Sequence, residues 1–171
     1  MKRFCVITNR DKEDSNSKAV YIQEYLEQKG GKCLILENRR VISEGVLHYT
    51  EADKIPEETE CVLVLGGDGT MIQAAIDLVH SRLPVLGINM GTVGFLTEVE
   101  PQNLERALDL MLGDRYTIEN RIMLRENSLT REGKRIGKAC YALNDVVVSK
   151  RGECRLITIK VYINEELADI Y

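Results

Sequence analysis

A glycine-rich run, Gly66-Gly67-Asp68-Gly69-Thr70, separates an apolar segment from a segment with helical spacing. Glycines at a strand-to-helix turn let the backbone approach a phosphate, and the first N–H groups of the helix add a partial positive charge. A carboxylate amid such a cradle repels a phosphate by roughly 1 to 4 kcal/mol at about 4 Å. Asp68 therefore makes sense there if it binds Mg²⁺ or takes a proton from an attacking hydroxyl. The alternative is a tight turn in which Asp68 or Thr70 caps the helix.

A second cluster follows the next apolar segment and reads Gly-Ile-Asn-Met-Gly-Thr-Val-Gly-Phe-Leu over residues 87–96. Its glycines indicate close backbone approach or positive φ angles. Asn89 offers a donor and an acceptor to a base edge or a ribose hydroxyl, and Phe95 offers a flat apolar face to a ring. The alternative is a turn stabilised by Asn89, with Phe95 in the core. The chain contains neither a P-loop nor the usual dinucleotide fingerprint.

Both clusters need a scaffold, and the first hundred or so residues have the pattern of one. Continuous apolar runs predict strands at residues 4–7, 33–36, 61–65 and 84–88. Helical spacing predicts helices over residues 15–28 and from 71 to about 81, and residues 38–59 read as a loop with one short strand near 46–49. We predict an α/β fold whose open, mostly parallel, Rossmann-like sheet occupies residues 1–100. Ligands bind such sheets at the carboxyl ends of the strands, where both clusters fall.

The pattern changes after residue 100. Pro101 fits the start of a helix that ends at Gly113, and β-type segments then follow at 116–124, 138–143, 146–149 and 156–163. Turn signals lie at 131–134 and 150–152. We predict that residues 101–171 form a linking helix and an incomplete antiparallel β-rich domain. Its last strand would be an uncovered edge, which favours either the front part of a longer protein or a homo-oligomer.

Composition, charge and cysteine content disfavour several classes of protein. The composition, 44% apolar and 29% charged with a net charge of −4, is that of a globular protein and disfavours nucleic acid as a partner. Five scattered cysteines without a C-x-x-C pair disfavour a zinc site or a disulfide scaffold. No run approaches the roughly 20 apolar residues of a membrane span, and the apolar stretch after Met1-Lys2-Arg3 is too short for a signal peptide. We expect a cytoplasmic protein with no membrane partner.

The two motifs together resemble the NAD kinase family. The run at 66–70 is shared with diacylglycerol and sphingosine kinases and with 6-phosphofructokinases, whereas the motif at 87–96 resembles NAD kinases in particular. A third segment, Ala142-Leu143-Asn144-Asp145-Val146-Val147-Val148, looks like the family's Asn-Glu element. The resemblance extends from about Arg3 to the end of the chain.

This resemblance implies a reaction and a set of site residues. The family transfers the γ-phosphoryl group of ATP, or in some members polyphosphate, to the 2′-hydroxyl of the adenosine ribose of NAD, and Mg²⁺ accompanies the ATP. Asp68 matches the family's catalytic aspartate, proposed as the general base, and no residue is assigned as a metal ligand. The positions that match NAD- or ATP-binding residues are Gly67, Gly69, Thr70, Asn89, Phe95, Asn144, Asp145 and Arg155.

The chain departs from the family pattern in three respects. Asp145 is one methylene shorter than the usual glutamate, and Gln73 stands where some members have a basic residue. The family's later Asp-Gly and Thr-Gly-Ser-Thr-Ala-Tyr elements are absent. A site that lacks one wall would lose most of its rate while its first domain keeps its fold. We expect an NAD kinase or its front portion; the alternatives are a non-catalytic NAD- or ATP-binding module and a lipid or sugar kinase with the same 66–70 loop.

Overall fold

The computed structural model describes residues 1–9, 13–38, 41–43, 46–91, 94–149 and 156–171. Its elements in chain order are β1 (Arg3–Asn9), α1 (Glu13–Gln28), β2 (Lys32–Asn38), β3 (Val41–Ser43), β4 (Val46–His48), β5 (Cys61–Gly66), α2 (Asp68–Asp77), β6 (Val85–Asn89), α3 (Leu104–Leu112), β7 (Leu124–Leu129), β8 (Arg135–Ala142), β9 (Lys160–Ile163) and β10 (Glu166–Ile170). Short 3₁₀ turns occur at Ala52–Lys54 and Pro101–Asn103. Within these ranges, no helix has the length and apolarity needed to cross a bilayer.

The main sheet contains four parallel strands in the order β2-β1-β5-β6. Because β1 lies between β2 and β5, the strand order reverses there, and the carboxyl ends of β1 and β5 border the crevice where such sheets bind ligands. All six residues of β5 are buried, as expected for a central parallel strand with helices on both faces. The predicted open, parallel α/β sheet is confirmed.

The helices cover both faces of this sheet. On one face, Ile22 of α1 and Leu108 of α3 belong to the same buried cluster as Leu63 of β5. On the other face, Ala74 of α2 packs in a cluster with Val64. The helix α3, which follows residue 100, thus completes the core of the preceding sheet, and the division of the chain at residue 100 stays a prediction.

Several element boundaries differ from the prediction. The helix expected from residue 71 to about 81 begins three residues earlier, at Asp68, and ends at Asp77. The region 38–59 contains the antiparallel hairpin β3–β4 where one short strand was expected. The helix expected from Pro101 starts as a 3₁₀ turn and becomes α-helical at Leu104.

The β-rich part consists of two separate antiparallel hairpins, β7–β8 and β9–β10. The turn expected at 131–134 is confirmed, since the Thr130 N–H donates to the Lys134 carbonyl at 2.7 Å and Gly133 has a φ of +80°.

The strands predicted at 116–124 and 146–149 are wrong, and only Lys160–Ile163 of the predicted 156–163 is a strand. An extended segment becomes a strand only beside a partner, and β8 pairs with Leu124–Leu129 instead. The turn expected at 150–152 lies outside the described residues.

The cysteines behave as small apolar residues in the core. Cys5, Cys33 and Cys61 are buried and free, and burial raises the pKa of each thiol to about 12. Cys140 is free and exposed, and Cys154 lies outside the described residues.

Candidate active site at the carboxyl edge of the sheet

The first cluster is a tight turn from β5 into α2. Gly67 is the N-cap of α2 and has an extended conformation, so Asp68 is the first helical residue. A Cβ on Gly66 would lie 2.4 Å from Thr70 Oγ1, and glycine is therefore needed for the Thr70 side chain to pack over the end of the strand. The space around Gly67 and Gly69 is open. An exposed helix N-terminus beside unobstructed glycines is the geometry that accepts a phosphate.

The second cluster is a loop that follows β6 and is tied to the first. The Met90 N–H donates to the Gly66 carbonyl at 3.2 Å, which joins the two strand ends. Asn89 is buried, and its Oδ1 accepts the Gly91 N–H at 2.8 Å. The structure thus gives Asn89 the turn-stabilising role that the sequence left open as an alternative.

Asp68 is held by backbone amides of this second loop. The Phe95 N–H donates to Oδ2 at 2.9 Å and the Leu96 N–H donates to Oδ1 at 3.0 Å. These bonds favour the ionised carboxylate: the N–H groups of Phe95, Leu96 and, to a lesser extent, Thr97 hold the pKa of Asp68 below its ordinary value. No side-chain cap closes the start of α2, so the capping alternative for Asp68 and Thr70 is wrong.

Phe95 is an aromatic side chain in water. It is 98% exposed, although its own backbone N–H contacts the Asp68 carboxylate. The alternative that placed Phe95 in the core is therefore wrong. An exposed ring beside an ionised carboxylate presents a stacking surface next to a hydrogen-bond acceptor.

The third motif lies on the β-rich side of a cleft. Asn144 and Asp145 are exposed, just beyond β8, and in the described part of the chain no hydrogen bond links them to Asp68. The preceding Leu143 lines a cleft of about 670 Å³, whose wall also includes Met71 of α2 and Leu96. This cleft therefore connects the Asn144 region with the loop that holds Asp68. Arg155 lies outside the described residues.

The far end of α2 carries a buried carboxylate. The side chain of Asp77 is 1% exposed, and its Oδ2 accepts the N–H groups of Tyr49 and Thr50 at 3.0 and 2.8 Å. Its Oδ1 lies 3.1 Å from His48 Nδ1 and accepts Gln73 Nε2 at 3.0 Å. Gln73, which stands where some family members have a basic residue, thus contacts Asp77.

Two positioning features have little or no sequence signal. Glycines in the second loop indicate a close approach without naming the neighbour, and the structure identifies Asp68 as the neighbour of Gly94. Nothing in the sequence around Asp77 marks it as buried. Within the described ranges, no group of three His, Cys, Asp or Glu side chains could hold a metal ion.

Comparison with known proteins places this arrangement in a family. Residues 4–116 match the model of the ATP-NAD kinase N-terminal domain. The NAD kinases of Lachnoclostridium phytofermentans and Agathobacter rectalis are each 38% identical to the chain over its whole length. The chain spans 59% and 58% of these two proteins, little more than half of their length.

A solved structure agrees at the level of the fold. Yeast NADH kinase, crystallised in complex with NADH, superposes with a TM-score of 0.72 at 16% identity, over 99% of this chain and 55% of the yeast chain. At 16% sequence identity, this similarity shows that the two chains share a fold and nothing more. Because the family model matches well over half of the residues of this chain, the chain belongs to the ATP-NAD kinase family.

Proposed function

We propose that this chain carries the phosphoryl-transfer site of an NAD kinase. The observation that carries the proposal is the position of the Asp68 carboxylate. It lies between the glycine-rich turn at residues 66–70 and the loop that carries the exposed Phe95 ring, and its hydrogen bonds favour the ionised form. Family membership supports the reaction class, and the relatives are named NAD kinases. The substrates are taken from that membership: NAD as acceptor and ATP or polyphosphate as donor.

In the proposed reaction, the 2′-hydroxyl oxygen of the adenosine ribose attacks the γ-phosphorus of ATP. The bond from that oxygen to phosphorus forms, the bond from phosphorus to the β,γ-bridging oxygen breaks, and ADP leaves. The hydroxyl proton passes to Asp68. Because phosphoryl transfer has a loose transition state, the nucleophile needs little activation, and a carboxylate of low pKa suffices if it is well positioned.

The other site residues receive roles from their positions. Gly67, Gly69 and Thr70 line the open start of α2, where the phosphates of the donor would bind. Phe95 would stack on a ring of the dinucleotide, and Asn89 would shape the loop that carries it. The exposed residues Asn144 and Asp145 would contact NAD from across the cleft. For Arg155, a contact with the ligand is proposed from the family resemblance alone.

Mg²⁺ enters this scheme as part of the MgATP substrate. Magnesium binds phosphate oxygens and keeps several water ligands, so it does not require a cage of protein side chains. The open N-terminal turn of α2 leaves room for such a hydrated complex.

We also propose a cytoplasmic location and self-association. The free thiols of Cys5, Cys33, Cys61 and Cys140 fit a reducing compartment. The two hairpins expose apolar side chains, among them Ile136, Tyr162 and Ile163, and an isolated two-stranded sheet is marginally stable in water. A monomer whose mass does not change with concentration in analytical ultracentrifugation would argue against self-association.

The decisive experiment measures NADP formation from NAD, MgATP and this chain, coupled to an NADP-specific dehydrogenase. We expect Asp68→Asn to lower kcat by about 100-fold or more, because the proton acceptor and its charge are lost. The matched control is Asp53→Asn, on an exposed 3₁₀ turn, which should keep the wild-type rate. Saturable NAD binding without turnover, unchanged in Asp68→Asn, would instead indicate a non-catalytic binding module.

Phe95 separates NAD from other acceptors of the same kinase superfamily. Phe95→Ala should raise the KM for NAD about tenfold, since base–aromatic stacking contributes roughly 1 to 3 kcal/mol. A lipid or sugar acceptor makes no such stack. An unchanged KM for NAD in Phe95→Ala would remove Phe95 from the proposed site.

A further inference from the structure

Gly94 and Asp68 approach each other too closely for any other residue at position 94. A Cβ on Gly94 would lie 2.1 Å from Asp68 Oδ1, 2.6 Å from Cγ and 2.8 Å from Oδ2. These are the three nearest atoms, and all belong to the Asp68 carboxylate. The backbone at Gly94 therefore lies directly against the charged group.

The close approach is specific to this glycine. Gly91, in the same loop, lacks a positive φ, and a Cβ there would meet nothing within 4 Å. The loop thus contains one glycine whose missing side chain makes room for Asp68 and one whose side chain would be tolerated.

We infer that Gly94 is a positioning residue for phosphoryl transfer: it lets the amides of Phe95 and Leu96 reach the Asp68 carboxylate and fix its orientation. We call Gly94 and these two N–H groups the amide clamp. The inference rests on the proposed function for its link to the reaction, whereas the clamp itself is defined by contacts within the chain.

The amide clamp leaves Asp68 able to bind substrate. The Phe95 and Leu96 N–H groups occupy two of the roughly four acceptor positions of the carboxylate, and the Thr97 N–H contributes more weakly, so at least one position remains for a donor on the substrate. The clamp also fixes the backbone position from which the Phe95 side chain projects, because the Phe95 N–H donates one of the bonds.

A double-mutant cycle tests the clamp without requiring catalysis. Gly94→Ala is made in the wild-type chain and in Asp68→Ala, and urea unfolding of all four chains is followed by circular dichroism. We expect Gly94→Ala to lower the unfolding midpoint by about 1 M in the wild type and by less than about 0.3 M in Asp68→Ala, where the three clashing atoms are gone. Gly91→Ala is the control and should leave the midpoint unchanged.

Amide hydrogen exchange by NMR supplies a second readout that a general packing defect would not produce. Exchange at Phe95 and Leu96 should accelerate about tenfold or more in Asp68→Ala and in Gly94→Ala, and should match the wild type in Gly91→Ala. Equal midpoint losses for Gly94→Ala in both backgrounds, or unaltered exchange at both amides, would overturn the inference.

The assay for NADP formation separates this inference from the proposed function. In an active chain, Gly94→Ala should lower kcat about tenfold or more, since small misplacements of a catalytic group are costly, while Asp53→Asn, outside the site, keeps the wild-type kcat. If the wild type forms no NADP while the cycle is non-additive, turnover by this chain and the link of the clamp to the reaction are refuted, but the clamp itself stands. An additive cycle in a chain that forms NADP refutes the clamp alone.

Discussion

Helix α2 is fixed at its far end by the buried Asp77 carboxylate, and removing that group should destabilise the whole chain. Asp77→Ala deletes the acceptor for the N–H groups of Tyr49 and Thr50 and for Gln73. It also removes the contact with His48, whose half-exposed ring can turn to water.

The size of the loss follows from these contacts. A hydrogen bond to a charged group contributes about 1.5 to 3 kcal/mol when buried. Three such bonds at the low end of that range, partly replaced by water entering the vacated space, give an expected loss of about 3 kcal/mol in the free energy of unfolding. Asp77→Asn keeps one acceptor oxygen and should lose about half as much.

Urea unfolding followed by far-UV circular dichroism measures this loss, since the chain has no tryptophan for fluorescence. The midpoint should fall by about 1 to 2 M for Asp77→Ala. Asp53→Ala, an exposed aspartate, should stay within about 0.5 kcal/mol of the wild type. A loss below about 1 kcal/mol for Asp77→Ala, with an unchanged denaturant dependence, would refute the assigned role of the carboxylate.

Three further substitutions probe the core, the site and the pH dependence. Leu63→Ala should lose about 2 to 5 kcal/mol by urea unfolding because it leaves a cavity in the sheet core, whereas the fully exposed Leu156→Ala should be neutral. Phe95→Ala should leave the melting temperature unchanged, since its ring is in water; a large drop would mean that the ring packs in solution. The N–H groups of Lys2 and Arg3 lower the pKa of Glu60, so its contribution is complete above its ordinary pKa and disappears as the pH falls through the lowered value. Glu60→Gln should therefore reduce the melting temperature more near pH 7 than near pH 3, and equal losses at both pH values would contradict this account.

The parallel sheet could be predicted because buried central strands are continuous apolar runs. The residues of β5 are apolar on both faces, and the structure buries all of them. The segment 116–124 was mispredicted because its apolar residues do not show whether a partner strand is available. The adjacent Leu124–Leu129 pairs with β8, while residues 116–121 and Met123 line the cleft.

The sequence names the candidate site residues, whose roles stay predictions, but it does not give the contacts between them. Strand order alone brings Asp68 and Phe95 to the same edge of the sheet. The bonds that join them come from backbone amides, and every residue except proline has such an amide, so no side chain in the sequence marks them. The same holds for Asp77, where two of the donors are backbone N–H groups.

The packing of α3 against the first sheet has a consequence for the order in which the protein is made. A ribosome releases both loops of the candidate site before it releases Leu108, whose side chain lies in the same buried cluster as Leu63. While the chain ends near residue 100, α1 alone covers this face of the sheet, and the rest of the face is covered only when α3 emerges. After the glycine-rich turn at residues 66–70 has been made, the ribosome adds about forty more residues before α3 completes the core behind that turn.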